Sequence, residues 1–212
     1  MELINYLNEN FFTEDQLLVA CQIDAATLLK MQQRRIMPLP SYHVQLRVDC
    51  DSVFGMHNEQ FAIAYYAKGY AVWIGMLQTL TNDGEAFERF ATRYRSRAQE
   101  LKDLGIAPRH EKLNKGMDAH LRSEWEHFLK GTYGLCTRSG LPSDIATKEV
   151  AAAMIEEVLA DVDERALTLD ESKTLQHAVD LLDSASAMFA PHEIARSSRQ
   201  RLINDVRDKY HL

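Results

Sequence analysis

Apolar residues along the chain recur mostly at helical spacing. Phe87, Phe90, Ala91, Tyr94, Ala98, Leu101 and Leu104 fall on one face of a helix expected from Asp83 to Leu104, which Gly105 and Pro108 end. Leu121, Trp125, Phe128 and Leu129 mark another over Met117 to Lys130, closed by Gly131. Two short helices open the chain. Thr13 with Gln16 supplies a capping box for the first, and Asp24 caps the second, which Pro38 and Pro40 stop. Ser143 is expected to cap a helix running to about Ala166. Thr168 with Glu171 caps one reaching Ala190, and Ser197 or Ser198 starts a last one. The run His57 to Leu80, rich in Ala, Tyr, Trp and Met, reads as a further helix, with Tyr65, Tyr66, Tyr70 and Trp73 in its core face.

A different period governs Tyr42 to Cys50. There Tyr42, Val44, Leu46, Val48 and Cys50 alternate with His43, Gln45, Arg47 and Asp49, which predicts a half-buried strand. A strand needs a partner, either the Leu3 to Phe12 region or a second chain. The expected fold is therefore mainly α: a small head over residues 1–40, a strand and connector over 41–56, and a helical body over 57–212.

Composition agrees with a packed protein. Hydrophobic residues make up 46% and charged residues 26%, and nine Gly with five Pro are too few for a turn-rich β-sandwich. The net charge of −7 is concentrated. Glu156 to Asp183 holds nine acids against Arg165 and Lys173, while the stretch from Glu193 onward has five bases and three acids. Pairing between these two runs is expected. Cys21, Cys50 and Cys136 show no metal or disulfide spacing and suit a reducing cytoplasm. The N-terminus has no leader-like pattern, and no apolar run matches a membrane span.

Chemistry-bearing residues gather in one segment. Glu126, His127, Tyr133, Cys136 and Arg138 lie close in sequence, and His192, Glu193 and Arg196 would join them if the chain folds back. A Cys136 thiolate activated by His127 or His192 would be a nucleophile, with Arg138 lowering its pKa. The alternative is a small buried thiol, with Tyr133 packed beside it. Arg196 and Arg199, at the start of the last helix, are candidates for anion binding, against pairing with the acidic run. His120, Glu124 and His127 fall at i, i+4 and i+7. That face is turned from Leu121, Trp125 and Phe128, so it is expected to face solvent and hold no metal. The glycine-rich phosphate loops that nucleotide cofactors require are missing from the sequence.

The stretch FFTEDQLLVACQIDAATLLKMQQRRIMPLP resembles the N-terminal helix-turn-helix of MerR-type regulators and excisionase-like heads, with Thr13, Leu17, Ala20, Ile23, Leu28, Ile36 and Pro38 at the shared positions. The resemblance implies two short helices at a steep angle, the second presenting Thr27, Lys30, Gln33 and Arg34 to a DNA groove. Residues 1–40 carry five acids and three bases, however, which disfavours phosphate. The whole chain resembles a small bacterial family of unknown function loosely linked to natural-product biosynthesis, most clearly in WEHFLKGTYGLCTRSGLP (Trp125 to Pro142) and FAPHEIARSSRQRLI (Phe189 to Ile203). That family brings an expectation of fold but no catalytic residues. The reading that follows is a non-enzymatic regulatory or protein-interaction module, with a protein partner or self-association. The alternative is an enzyme or small-ligand binder with a pocket around Trp125 to Arg138 and His192.

Overall fold

The computed structural model describes residues 2–160 and 166–212. Asp161, Asp163, Glu164 and Arg165 of the acidic run lie outside the described residues, and Ala166, the expected end of the helix there, is not helical. The fold is mainly α. The chain begins with α1 (Glu2–Asn10), β1 (Phe11–Thr13), α2 (Glu14–Cys21), α3 (Ala25–Gln33), β2 (Tyr42–Ser52) and β3 (Gly55–Ala67). It continues through α4 (Tyr70–Leu77), α5 (Gly84–Asp103), α6 (Met117–Leu129), α7 (Thr132–Cys136), α8 (Pro142–Ala160), α9 (Leu169–Ala185) and α10 (Asp205–Tyr210).

The capping signals do what their chemistry requires. Thr13 and Gln16 exchange hydrogen bonds in a capping box, and Thr168 and Glu171 do the same at α9. Asp24 accepts from the Thr27 amide at 2.7 Å. α8 starts at Pro142, one residue before Ser143, as suits proline's fixed φ and missing N–H. α9 stops at Ala185 and not Ala190. Beyond it, Arg138 donates its amide to the Ala185 carbonyl at 2.8 Å and Thr137 bridges Ser186.

Residues 57–67 are strand where the sequence suggested helix. β3 lies between β1 and β2, antiparallel to both, with Tyr42 opposite Tyr65 and Ser52 opposite Gly55. Phe11 opposite Ala67 sets the other register. The partner of the Tyr42 strand is thus β3, and the residues after α1 pair with β3 and not with β2. Tyr65 and Tyr66 are buried from strand positions, Tyr70 and Trp73 from a helix.

The main core is aromatic. Trp73 and Phe128 meet edge-to-face at 4.9 Å between centroids, and Phe90 lies 5.1 Å from Phe128 and 5.3 Å from Trp125. Trp73 also donates its indole N–H to the Ile36 carbonyl at 2.8 Å, in a fully buried bond that joins the chain after α3 to the body. A second core under α8 and α9 holds Ile155, Leu175, Val179, Leu182, Leu202 and Ile203.

The acidic run and the C-terminal arginines do pair. Arg199 and Arg207 both bond Asp183, Arg207 also bonds Asp180 at 2.8 Å, and Arg201 bonds Glu156 at 3.1 Å. Burial pushes the Asp183 carboxyl up, but the bonds from Arg207 and Arg199 outweigh it and hold it below its ordinary value. The Arg199 side chain is 13% exposed, whereas Arg201 is open to solvent. Salt screens an exposed pair and hardly reaches a covered one. Arg199→Glu is therefore expected to lower the melting temperature by several degrees at low and high salt alike. Arg201→Glu is expected to cost little, and less still in high salt; calorimetry of both variants at two ionic strengths checks this.

Candidate functional site

α6 ends at Leu129, and Gly131 turns the chain with φ 78°, in the left-handed region that glycine enters freely. A β-carbon there would sit 2.5 Å from the Leu39 carbonyl oxygen, so the glycine also lets the exit from α3 lie against this turn. Tyr133 on α7 is buried, with its ring edge-on to that of His127. Cys136 ends α7 half-buried, and burial pushes its thiol above the ordinary value while nearby Lys148 pulls the other way.

Arg138 follows at the rim of a cleft of about 230 Å³ whose walls include Tyr6, Phe11, Thr137 and Ser186. The two acids grouped with it in the sequence are engaged elsewhere. Glu126 bonds Arg35, and Glu193 accepts from the Tyr42 hydroxyl at 2.7 Å and from the Ala190 amide at 3.2 Å. Burial raises the Tyr42 hydroxyl well above the usual tyrosine range, so it stays a donor to Glu193. His192 is exposed beside Glu193, with Nε2 3.9 Å from that carboxylate. Tyr133, Cys136 and Arg138 therefore cluster on α7 and its exit, with His127 touching Tyr133. Glu193 belongs to a separate tyrosine network with Tyr42 and Tyr6.

On the head, Lys30 and Gln33 are exposed on α3 and the Thr27 amide is taken by the Asp24 cap. Arg34 is tied to Asp83 at the start of α5. Of the two anion candidates, Arg199 is held by Asp183, and Arg196 is exposed on a short 3-10 turn, Ile194–Arg196.

The largest correction concerns α6. His120 and Glu124 do not face solvent: their side chains are 7% and 8% exposed, and only His127 of that trio is open. The reason is that α6 is covered on two sides. Its aromatic face packs on Trp73 and Phe90, while Tyr94 of α5 and Glu149 of α8 close over the polar one. His120 Nε2 shares a hydrogen bond of 2.8 Å with the Tyr94 hydroxyl, and its Nδ1 lies 3.5 Å from Glu124 Oε1. Glu149 is paired with Lys112 at 2.9 Å. Desolvation pushes the Glu124 carboxyl up to about 8, with Glu149 adding to it and Lys112 and Lys148 opposing. Desolvation likewise lowers His120 and keeps the ring neutral.

The sequence signals for this cluster were the His-x3-Glu step at i, i+4 and a glutamate directly before the apolar run Val150 to Ala153 of α8. A carboxyl whose folded pKa lies above its unfolded value binds more protons when folded. Its contribution to stability is complete below about pH 4.5 and is lost as pH rises through about 8. The melting temperature of chelator-treated protein should fall between pH 5 and pH 8.5 by about several degrees. Glu124→Gln, which cannot ionise, should flatten that slope; an equal slope in both proteins would count against the buried acid.

A surface feature completes the picture. Beyond Leu46 and Ile63 the β2–β3 ribbon leaves the body, and both of its faces are exposed out to the tip. At that tip Val53 is 96% and Phe54 98% exposed. β2 is an edge strand of the sheet.

No curated protein and no solved structure matches the chain. The profile of a family of unknown function, DUF6058, matches residues 86–211, from α5 through the buried His120 cluster and the paired arginines of the C-terminal segment. The chain belongs to this family of unknown function, DUF6058.

Proposed function

We propose that the chain is a non-enzymatic interaction module that self-associates, with β2 of one copy pairing antiparallel to β2 of another. The observation that carries this reading is the projecting ribbon itself: an edge strand of eleven residues whose outer part, Arg47 to Ser52, is solvated on both faces, with an apolar tip. A two-stranded ribbon is only marginally stable in water, and an open edge is a template for another strand.

The register follows from the ladder. A two-residue turn, Val53-Phe54, makes Ser52 and Gly55 the closing hydrogen-bonded pair. Alternation then points the backbone groups of Ser52, Cys50, Val48 and Leu46 at β3, and those of Asp51, Asp49, Arg47 and Gln45 outward. A twofold axis at Val48 sets Arg47 of each copy opposite Asp49 of the other. An axis at Arg47 or Asp49 sets like charges face to face, and one at Cys50 puts Asp49 opposite Asp51. The Val48 axis also brings Leu46 opposite Cys50 on the apolar face, next to exposed Phe61.

The head supports a regulatory setting. The order α1-β1-α2-α3-β2-β3, with β3 central, suits a MerR-like helix-turn-helix in which β2–β3 is the wing. The wing carries Asp49, Asp51 and Glu59 against Arg47, and Arg34 on α3 is already paired, so a protein surface suits it better than phosphate.

The test is a charge exchange. Arg47→Asp places carboxylates opposite each other and should shift sedimentation from dimer to monomer, and Asp49→Arg should do the same. Combining them restores opposite charges in trans and should restore the dimer. A monomeric wild type, or a double variant no better than the single ones, would overturn the reading. Salt-dependent retention on duplex DNA by the wild type, lost in Lys30→Ala, would favour the DNA reading instead.

A further inference from the structure

Buried inside the family-matched region is a set of groups that the interaction reading does not use. His120 and Glu124 stand one helical turn apart on α6, and Glu149 faces them from α8. One ligand atom from each lies within 4.8 Å of the other two. We propose that these three side chains bind one divalent transition-metal ion of the zinc class, tying α6 to α8.

Three observations carry the assignment. Glu124 is 6% exposed, and its Oε2 has no hydrogen-bond partner among the described residues. A buried carboxylate oxygen left in that state is costly unless a cation or proton meets it. Second, the His120 ring is already oriented as a ligand. Its Nε2 is held by the Tyr94 hydroxyl at 2.8 Å, which leaves Nδ1 directed to the Glu124 side. Metal-binding imidazoles are commonly fixed through their other nitrogen in this way. Third, one of the three ligand side chains, Glu149, already holds a positive charge beside it. Lys112 reaches Glu149 Oε2 from the 3-10 turn Glu111–Leu113, and its side chain is 39% exposed, free to swing into solvent. The other ionisable neighbours are Lys148 on α8 and His110 at the head of that turn.

The ligand chemistry narrows the ion. One imidazole and two carboxylates suit zinc, manganese or ferrous iron, and the imidazole argues against calcium or magnesium. Zinc–ligand bonds of about 2.1 Å need donor atoms roughly 3.4 Å apart. The His120–Glu124 pair meets this at 3.5 Å. The ligand atom of Glu149 lies within 4.8 Å of the other two, so a small side-chain adjustment on release of Lys112 would complete the set.

The experiment is titration of the chelator-stripped full chain with Zn2+ by calorimetry, with Co2+ as a spectroscopic stand-in. One equivalent is expected, with visible Co2+ bands of a low-coordinate N/O site. Glu124→Gln and Glu149→Gln should each weaken binding about tenfold or more. Tyr94→Phe should weaken it less, and His127→Gln, on the exposed face of the same helix, should leave it unchanged. Circular dichroism establishes that the variants fold; if Glu124→Gln does not, half-buried Glu149→Gln decides. Absence of stoichiometric uptake by the wild type would overturn the proposal. So would uptake of undiminished affinity by Glu149→Gln, which would place the ion elsewhere on the protein. A monomeric protein that still binds one zinc would sink the self-association reading and leave this one standing.

Discussion

The hydrogen bond from the Trp73 indole to the Ile36 carbonyl is the contact on which the rest of the arrangement depends. It is buried in an aromatic core, where no water can replace a lost partner, so its rupture would leave a polar group stranded. It draws the segment after α3 against the body, and two further bonds hold that segment along its length. The Leu39 amide donates to the Leu129 carbonyl at 2.9 Å, and the Ser41 hydroxyl donates to the Gly131 carbonyl at 2.9 Å. Glycine at 131 is what permits so close an approach. With this strap fixed, Arg34 and Arg35 fall beside Asp83 and Glu126.

Much of the helical architecture was legible in the sequence, because its signals are local. Capping boxes at Thr13 and Thr168 are four-residue events, and the aromatic stripes of α5 and α6 repeat over several turns. β3 was not legible. Ala62, Ala64, Tyr65, Tyr66 and Ala67 lack an alternating pattern, since the inner end of the strand is buried on both faces and the outer end on neither. The alternation of β2 was clear, but its partner is set by a two-residue turn at Val53-Phe54, which lacks the usual Gly or Asn signal. Burial of His120 and Glu124 was hidden for a different reason. A helical wheel shows which residues share a face, but not how many neighbours cover the helix, and α6 is covered on two faces. The Cys136, Tyr133 and Arg138 grouping was visible as a short segment. That Glu193 is engaged by Tyr42 depends on contacts between residues far apart in sequence.

Two inversions of the ordinary rule thus mark this chain: ionisable groups sealed beneath α8, and large apolar groups at the tip of a ribbon in water. Each carries a cost when the chain is alone, and each is relieved by something added: a cation for the first, a second strand for the second. The ribbon bears most directly on what the protein does. Its outward amides on Gln45, Arg47, Asp49 and Asp51 offer a residue-by-residue readout that does not depend on any substitution. Hydrogen exchange should be measured at these four positions over a wide range of protein concentration. Pairing between copies predicts that they exchange freely in dilute protein and become protected together as concentration rises, while Leu46, Val48 and Cys50, bonded to β3, change little. Equal exchange at every concentration would contradict the account.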